Sequence, residues 1–348
     1  MSTSDPQRIL IVKLRAIGDV VMATPVIENL RNRFPNSHIA FLTEEASADA
    51  VRFNPFLDEC IVLSRKSWQQ MSWRKSWPGQ IAFLRGLRQK RFDLVIDLFG
   101  NPRSALLTWM TNAPQRVGYA FRIRKYAYTQ AIEPRGGDVH EVEFHLDALR
   151  ALHIPVRTTA PRLDTPDELR LRAGQWMEIQ GATDGRPLVG LNPGGGWAIK
   201  RWPPDRFATL ADLLTDRYDA RILLLWGPGE RSIIETVAGG MKTQALLLPE
   251  VSLAELCAFL RHCTVVISND SGPMHMAAAV GVPTVGIFGP THPVLQGPYG
   301  PGHRFIREET VACLGCNRLS CPIGNICMTR LAPETVFDVV RTCFEHKP

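Results

Sequence analysis

The chain has 348 residues, 45% hydrophobic and 21% charged, which suits two domains of ordinary size and excludes a fibrous or largely disordered protein. A net charge of +6 and a pI near 9.0 favour anionic partners, a class that spans nucleic acid, anionic lipid and phosphorylated small molecules. The longest weakly polar stretch, Met274 to Pro290, is interrupted by His275, glycines and Pro283 and falls short of the roughly 20 apolar residues of a membrane span.

The segment Met1 to Arg8 is polar and runs directly into Ile9-Leu10-Ile11-Val12, without the apolar region of a signal peptide. A cytoplasmic protein is expected. Arg8 to Lys13 reads as a buried strand, followed by a short Gly-containing turn and a helix from about Asp19 to Phe34 that Pro35 closes. Strands are predicted at His38 to Thr43, Cys60 to Leu63 and Phe92 to Leu98, with helical segments near Ser47, at Gly79 to Lys90 and at Arg103 to Met110. This alternation predicts a parallel sheet with helices on both faces. Between Arg65 and Arg91 lie Arg65, Lys66, Arg74, Lys75, Arg85, Arg88, Lys90 and Arg91 with no Asp or Glu, interleaved with Trp68, Trp73 and Trp77. That stretch reads either as a basic, aromatic docking surface or as a solvated face over packed tryptophans. No recognised nucleic-acid module surrounds it, and no nucleic-acid partner is expected.

After a predicted helix at His140 to Leu152, the stretch Ile154 to Glu168 is rich in Pro, Thr and Asp and marks a linker. It separates a first domain of residues 1–160 from a second of 161–348. In the second, a helix at Glu168 to Gln180 precedes strands at Pro187 to Asn192, Ala220 to Trp226, Thr264 to Ser268 and Pro283 to Phe288. Helices are predicted at Asp205 to Arg217 and Gly272 to Val280. The last helix, about Pro333 to Phe344, fits either domain. Two open α/β halves result, with the expected ligand site between them.

Four turns carry candidate chemistry. Val12 to Val21 lacks the G-x-G-x-x-G spacing of a dinucleotide site, and what remains is Asp19, a carboxylate at a helix start that suits either capping or catalysis. Val265 to His275 is a strand leading through Asp270, Ser271 and Gly272 into a Pro-started helix; its N-terminal amides and dipole suit a phosphate, while His275 reads as ligand contact or core residue. Asn192 to Pro203 holds Gly194, Gly195 and Gly196 ahead of Lys200, a pattern of close backbone approach plus a cation, or else a flexible loop with a solvated lysine. Trp226-Gly227-Pro228-Gly229-Glu230 offers a carboxylate suited to ribose hydroxyls.

Lys13 to Pro25 with its Gly18-Asp19 pair, Asn192 to Pro203, and Ser268 to His275 through Phe288-Gly289-Pro290-Thr291 resemble the bacterial lipopolysaccharide heptosyltransferases of glycosyltransferase family 9, over about Arg8 to Val340. The resemblance implies a GT-B fold of two facing Rossmann-like domains, with the acceptor on the first and the nucleotide sugar on the second. It implies an inverting, metal-independent transfer of heptose from ADP-heptose to the lipid-linked inner core. Peripheral contact with the cytoplasmic face of the inner membrane goes with that acceptor. Asp19 matches the base, Lys200 the phosphate-side lysine, Glu230 the ribose carboxylate, and Asp270, Ser271, Gly272 and His275 the donor turn beside Gly194 and Gly195. Arg103, Arg116, Arg122, Arg124 and Lys125 extend the basic surface towards acceptor phosphates. A nucleotide-sugar epimerase and a non-catalytic nucleotide-sugar binding protein are the readings from other classes.

Of eight cysteines, Cys60, Cys257, Cys263 and Cys343 are scattered and read as buried fillers. Cys313, Cys316, Cys321 and Cys327 form a C-x2-C-x4-C-x5-C cluster. Four clustered thiols suit a structural zinc or iron ion that would brace a loop, although the spacing is not that of a zinc ribbon. Free thiols and disulfides are the other readings.

Overall fold

The computed structural model describes residues 5–70 and 73–345. Residues 1–4 and the side chains of Lys66, Trp73, Arg74 and Lys75, which entered the sequence reading, lie outside the described residues. The chain divides into two compact units, Met1–Leu163 and Asp164–Pro348.

The first unit holds β1 (Arg8–Val12), β2 (His38–Glu44), β3 (Glu59–Leu63), β4 (Leu94–Asp97), β5 (Gln115–Tyr119) and β6 (Gln130–Ile132) in the order β3-β2-β1-β4-β5-β6. The second holds β7 (Leu188–Asn192), β8 (Arg221–Leu224), β9 (Leu246–Leu247), β10 (Val265–Asn269), β11 (Thr284–Phe288) and β12 (Arg304–Arg307) in the order β12-β11-β10-β7-β8-β9. Every pairing is parallel. Counted from its own first strand, each sheet has the same order, and the winding reverses between β1 and β4 and between β7 and β10. Such reversals open a crevice beyond the strand carboxyl ends. The central strands are apolar on both faces: Ile9 to Val12 and all of β7 are buried, as a sheet covered by helices on both sides requires.

Differences from the sequence reading have local causes. The single helix expected from Asp19 to Phe34 is two, Ile17–Met22 and Thr24–Arg33, with Pro25 in the first turn of the second, where its missing N–H costs nothing. The helix Trp73–Gln89 starts upstream of Gly79 and runs through Pro78. Strands β5, β6, β9 and β12 were not predicted. β9 spans two residues, and β5 and β12 carry arginines and few aliphatic residues, so periodicity is weak in all of them. The last helix, Pro333–Glu345, belongs to the second unit. It packs on the helix Pro204–Tyr218, where the Tyr218 and Phe344 rings stack at 4.2 Å. Among the described residues no helix is long and apolar enough to cross a membrane.

β5 shows how one absent side chain shapes the sheet end. A Cβ on Gly118 would lie 2.4 Å from the Tyr128 ring, and Tyr128 reaches across to donate its hydroxyl to Asp97 Oδ2 at 2.8 Å. Gly118→Ala is expected to push Tyr128 off Asp97 and destabilise the first unit by about 1–3 kcal/mol, the usual cost of overpacking. A urea titration would read this as a lower midpoint, and an unchanged midpoint would contradict the contact.

Candidate functional site

In the first unit the site is built where the winding reverses. Lys13 follows β1 and is only 3% exposed, yet its charge is surrounded by partners. Its Nζ lies 3.7 Å from Asp19 Oδ2 and 3.1 Å from Glu141 Oε1, and 5.2 Å from the centre of the Phe99 ring. Asp19 is the third residue of the helix Ile17–Met22, and its Oδ2 accepts from the Ala16 amide at 3.3 Å. Capping and exposure therefore coexist in one carboxylate, whose side chain is 32% exposed. His145, one turn along the helix Glu141–Ala151, is fully buried with Nε2 3.4 Å from Glu141 Oε1. Burial, with the Lys13 charge nearby, holds its imidazole well below the ordinary histidine pKa.

The turn after β4 is fixed by a fully buried acid. Asp97 Oδ1 accepts from the Phe99 and Gly100 amides at 2.9 and 3.0 Å, while burial pushes its carboxyl up against the pull of those donors. Asn101 then caps the helix Pro102–Met110.

The arginines expected on the acceptor side divide into two kinds. Arg116 donates from Nε to Ala127 O at 2.8 Å and from Nη1 to Ala113 O at 2.6 Å. Arg124 donates to Phe121 O at 3.2 Å and stacks over the Phe121 ring. Both guanidiniums thus hold local backbone. Arg103 and Arg122 are exposed, Arg103 with Nη1 3.6 Å from Glu44 Oε1. In the aromatic stretch upstream, Trp68 is packed edge-on against Phe83 at 5.7 Å and Arg65 pairs with Glu44, so this part reads as a packed face.

In the second unit the loops after β7 and β10 are sewn together by side chains. Asn192 Nδ2 donates to Ser268 Oγ and Ser271 Oγ, both at 2.9 Å. Asn269 Nδ2 donates to Pro193 O at 2.8 Å and Gly194 O at 3.1 Å, and its Oδ1 accepts from the Trp202 amide at 3.0 Å. Glu230 accepts from the Gly195 amide at 2.7 Å and the Gly227 amide at 2.9 Å. A Cβ on Gly194 would sit 2.2 Å from Glu230 Oε2, so glycine is needed there for the carboxylate to approach. Arg201 closes the loop by donating to Gly195 O at 2.8 Å.

Lys200 Nζ lies 2.6 Å from Asp270 Oδ2 and 4.6 Å from the centre of the Trp197 ring. Thr291 donates to the same Asp270 oxygen at 2.6 Å. Ser271 precedes the helix Gly272–Ala279, whose first amides and dipole favour an anion. His275 is 6% exposed and lies on the buried side of that helix. The structure therefore brings together Gly194, Gly195, Lys200, Glu230, Asp270, Ser271 and Gly272 in the second unit, and Asp19 with Lys13 in the first. Lys13's role, Glu141, Phe99 and His145 escaped the sequence reading; a charged Lys13 directly after a strand of unbroken aliphatic residues was the available signal.

The four clustered cysteines line one hollow with Pro290 and Ile323, and the structural metal expected there is not supported. Among the described residues no group of three or more His, Cys, Asp or Glu side chains is disposed to hold a metal ion, and every cysteine is a free thiol. Cys313 and Cys316 are exposed, Cys321 accepts from the Asn325 amide and Cys327 is buried. Of the four read as fillers, Cys257 and Cys263 are buried, whereas Cys60 and Cys343 are partly exposed.

Comparison with known proteins agrees with this geometry. Residues 80–326 match the model of glycosyltransferase family 9 (heptosyltransferase). The chain is 26% identical to lipopolysaccharide heptosyltransferase 1 of Pseudomonas aeruginosa, over 94% of this chain and 96% of that protein. The crystal structure of a family 9 glycosyl transferase from Veillonella parvula superposes with a TM-score of 0.85 at 26% identity, covering 98% of each chain. Escherichia coli heptosyltransferase WaaC with ADP-2-deoxy-2-fluoro heptose shares the fold, with a TM-score of 0.74 at 24% identity over 96% of this chain and 99% of that one. Two parallel α/β units of this strand order define a glycosyltransferase of the GT-B class. The chain belongs to glycosyltransferase family 9, the heptosyltransferase family.

Two outcomes test the site as built. The unfolded chain binds a proton on His145 that the folded one refuses, so stability should fall as pH drops below about 6.5, by up to about 1.4 kcal/mol per pH unit. Unfolding measured between neutral and mildly acidic pH should show a shallower slope for His145→Gln than for wild type, and parallel slopes would contradict the burial of a neutral ring. Glu230→Gln leaves one acceptor for two amides and should cost the second unit about 1–3 kcal/mol, read as a lower urea midpoint. An unchanged midpoint would mean the staple does not hold the loop.

Proposed function

We propose that the enzyme transfers heptose from ADP-heptose to a sugar hydroxyl of the lipopolysaccharide inner core, working peripherally at the cytoplasmic face of the inner membrane. The observation that carries this reading is Asp19, a partly exposed carboxylate at the β1 turn held by the buried Lys13. Family membership and the heptosyltransferase relatives support the choice of sugar and acceptor.

The chemistry follows from the two turn sets. Asp19 accepts the acceptor hydroxyl proton as that oxygen attacks the anomeric carbon; the anomeric C–O bond to the diphosphate breaks on the opposite face, inverting the centre. ADP leaves carrying the bonding pair. Lys200, the amides at the start of Gly272–Ala279 and the Ser271 hydroxyl meet the charge that develops on the leaving oxygen. Gly194 and Gly195 allow the loop to close on the diphosphate, and Glu230, which still has lone pairs to offer, accepts from ribose hydroxyls. Arg103 and Arg122, with Lys125, face acceptor phosphates. Arg116 and Arg124 shape the surface that presents them.

Incubation with ADP-heptose and a series of truncated core acceptors, followed by product mass, tests the assignment. If ADP-heptose is ignored while another nucleotide sugar is consumed, the heptose reading fails. Asp19→Asn should bind ADP-heptose as wild type does and transfer roughly 10²–10⁴-fold more slowly. A binding protein would be indifferent to that change, and an epimerase would convert the donor with no acceptor present. Lys200→Met should lower kcat by about 10²-fold, the scale for losing one preorganised charge.

A further inference from the structure

The large exposed apolar side chains of the first unit, among the described residues, lie on three neighbouring segments, Trp73–Gln89, Pro102–Met110 and Arg122–Ala127. Among the described residues, its large exposed hydrophobics are Trp77, Leu106, Trp109, Ile123 and Tyr126. Leu106 and Trp109, 53% and 57% exposed, occupy the outer side of the helix Pro102–Met110 at i, i+3 spacing. Ile123 and Tyr126, 80% and 76% exposed, project from the short 3-10 segment Arg122–Ala127 that packs against that helix. The comparable residues of the second unit are scattered from Leu171 to Ile323.

Basic side chains predominate around these segments, although Glu44 lies 3.6 Å from Arg103 and Asp93 lines the hollow beside Arg85 and Arg88. No Asp or Glu occurs from Leu98 to Ile132, while Arg103, Arg116, Arg122, Arg124 and Lys125 do. The neighbouring helix Trp73–Gln89 contributes Arg85 and Arg88, which line a groove together with Ile81, Trp109 and Met110. The same two arginines also line the adjoining hollow beside Phe92. Apolar tips standing between exposed cations, with no carboxylate among them in the sequence, fit the boundary of an anionic bilayer: aromatic and aliphatic tips enter the acyl boundary while guanidiniums meet lipid phosphates. Four exposed tips of this size on two packed segments are unfavourable against water and favour an apolar partner. A partner protein would need an acidic, apolar face; the lipid surface supplies both properties together.

We infer that the outer side of Pro102–Met110 and the segment Arg122–Ala127 form an anionic-lipid docking surface, with Arg85 and Arg88 as headgroup contacts. This deepens the peripheral placement proposed above, and it moves the membrane contact from the tryptophan-rich stretch near Trp68, which is packed against Phe83, to Leu106, Trp109, Ile123 and Tyr126. The surface requires no core oligosaccharide. Leu106, Trp109, Ile123 and Tyr126, with Arg85 and Arg88, read lipid, while Arg103, Arg122 and Lys125 on the same segments remain the cations assigned to acceptor phosphates.

Co-sedimentation of the full chain with acceptor-free vesicles tests it, using phosphatidylcholine alone or phosphatidylcholine with about one-third phosphatidylglycerol. Wild type should bind the anionic vesicles, be released by high salt and ignore the neutral ones. Trp109→Ser with Ile123→Ser should weaken partitioning by about tenfold or more while transfer to a deacylated, water-soluble core acceptor stays at the wild-type rate. Arg85→Ser with Arg88→Ser should lose binding in the same assay. Absence of wild-type binding to anionic vesicles, or undiminished binding by both double variants, would overturn the inference. So would sedimentation velocity showing a wild-type dimer that Trp109→Ser with Ile123→Ser dissolves while vesicle binding persists, because the face would then join two copies. Failure of wild type to glycosylate the soluble acceptor would defeat the heptosyl reading and leave the vesicle result standing.

Discussion

The reversal of winding at the middle of each parallel sheet is the constraint on which both sites depend. Between β1 and β4, and between β7 and β10, the chain leaves for opposite faces, and the strand ends there are not covered by a connecting helix. Backbone in such a place has no ladder to satisfy it, so side chains must hold it. Asp97 does this for the turn at Phe99 and Gly100. Asn269 and Glu230 do it for the glycine loop after β7, the first from the β10 side and the second from the turn after β8. The result in each unit is a set of turns at the strand carboxyl ends whose backbone is held in place by side chains.

Both sets of turns then solve the same electrostatic problem with a lysine set between a carboxylate and an aromatic face. Burying a lone ammonium or carboxylate costs several kcal/mol, and removing one member of a buried pair leaves that cost uncompensated. Lys13 sits with Asp19, Glu141 and Phe99; Lys200 sits with Asp270 and Trp197. The order of burial is opposite in the two. In the first unit the lysine is 3% exposed and its acid 32%, which leaves a carboxylate facing outward. In the second the acid is 6% exposed and the lysine 15%, which turns the cation outward. One arrangement suits proton acceptance and the other suits a phosphate. The proposed roles of Asp19 as base and Lys200 as phosphate lysine draw on this difference in burial together with the family resemblance.

Much of this was legible along the chain because it is local. The glycine run at Gly194 to Gly196 and the Asp270-Ser271-Gly272 turn are each local; the α/β class followed from the repeated βα alternation, and the GT-B class from the family resemblance. What stayed hidden depends on pairing across long separations. Glu141 reaches Lys13 from a helix more than a hundred residues away in sequence, and nothing in its own neighbourhood marks it. Arg116 looked like a phosphate ligand because its charge was visible, while the carbonyls of Ala113 and Ala127 that take it were not. Strand β5 was missed for a related reason: Gly118 weakens the strand pattern, and its purpose, room for Tyr128, exists only in three dimensions.

The cysteine-rich segment shows the same distinction between composition and placement. Four thiols in a short span suggested a metal, yet the contacts that matter there are steric and backbone contacts. A Cβ on Gly289 would lie 2.8 Å from Cys327 Sγ and 2.6 Å from Met328 Sδ. The Gly315 and Asn317 amides donate to Gly289 O at 3.2 Å and Pro290 O at 2.6 Å. The segment therefore clamps the loop after β11, and that loop delivers Thr291 to Asp270, which in turn positions Lys200. Tight packing on a glycine and two backbone hydrogen bonds thus brace this segment, one step removed from the Lys200–Asp270 pair.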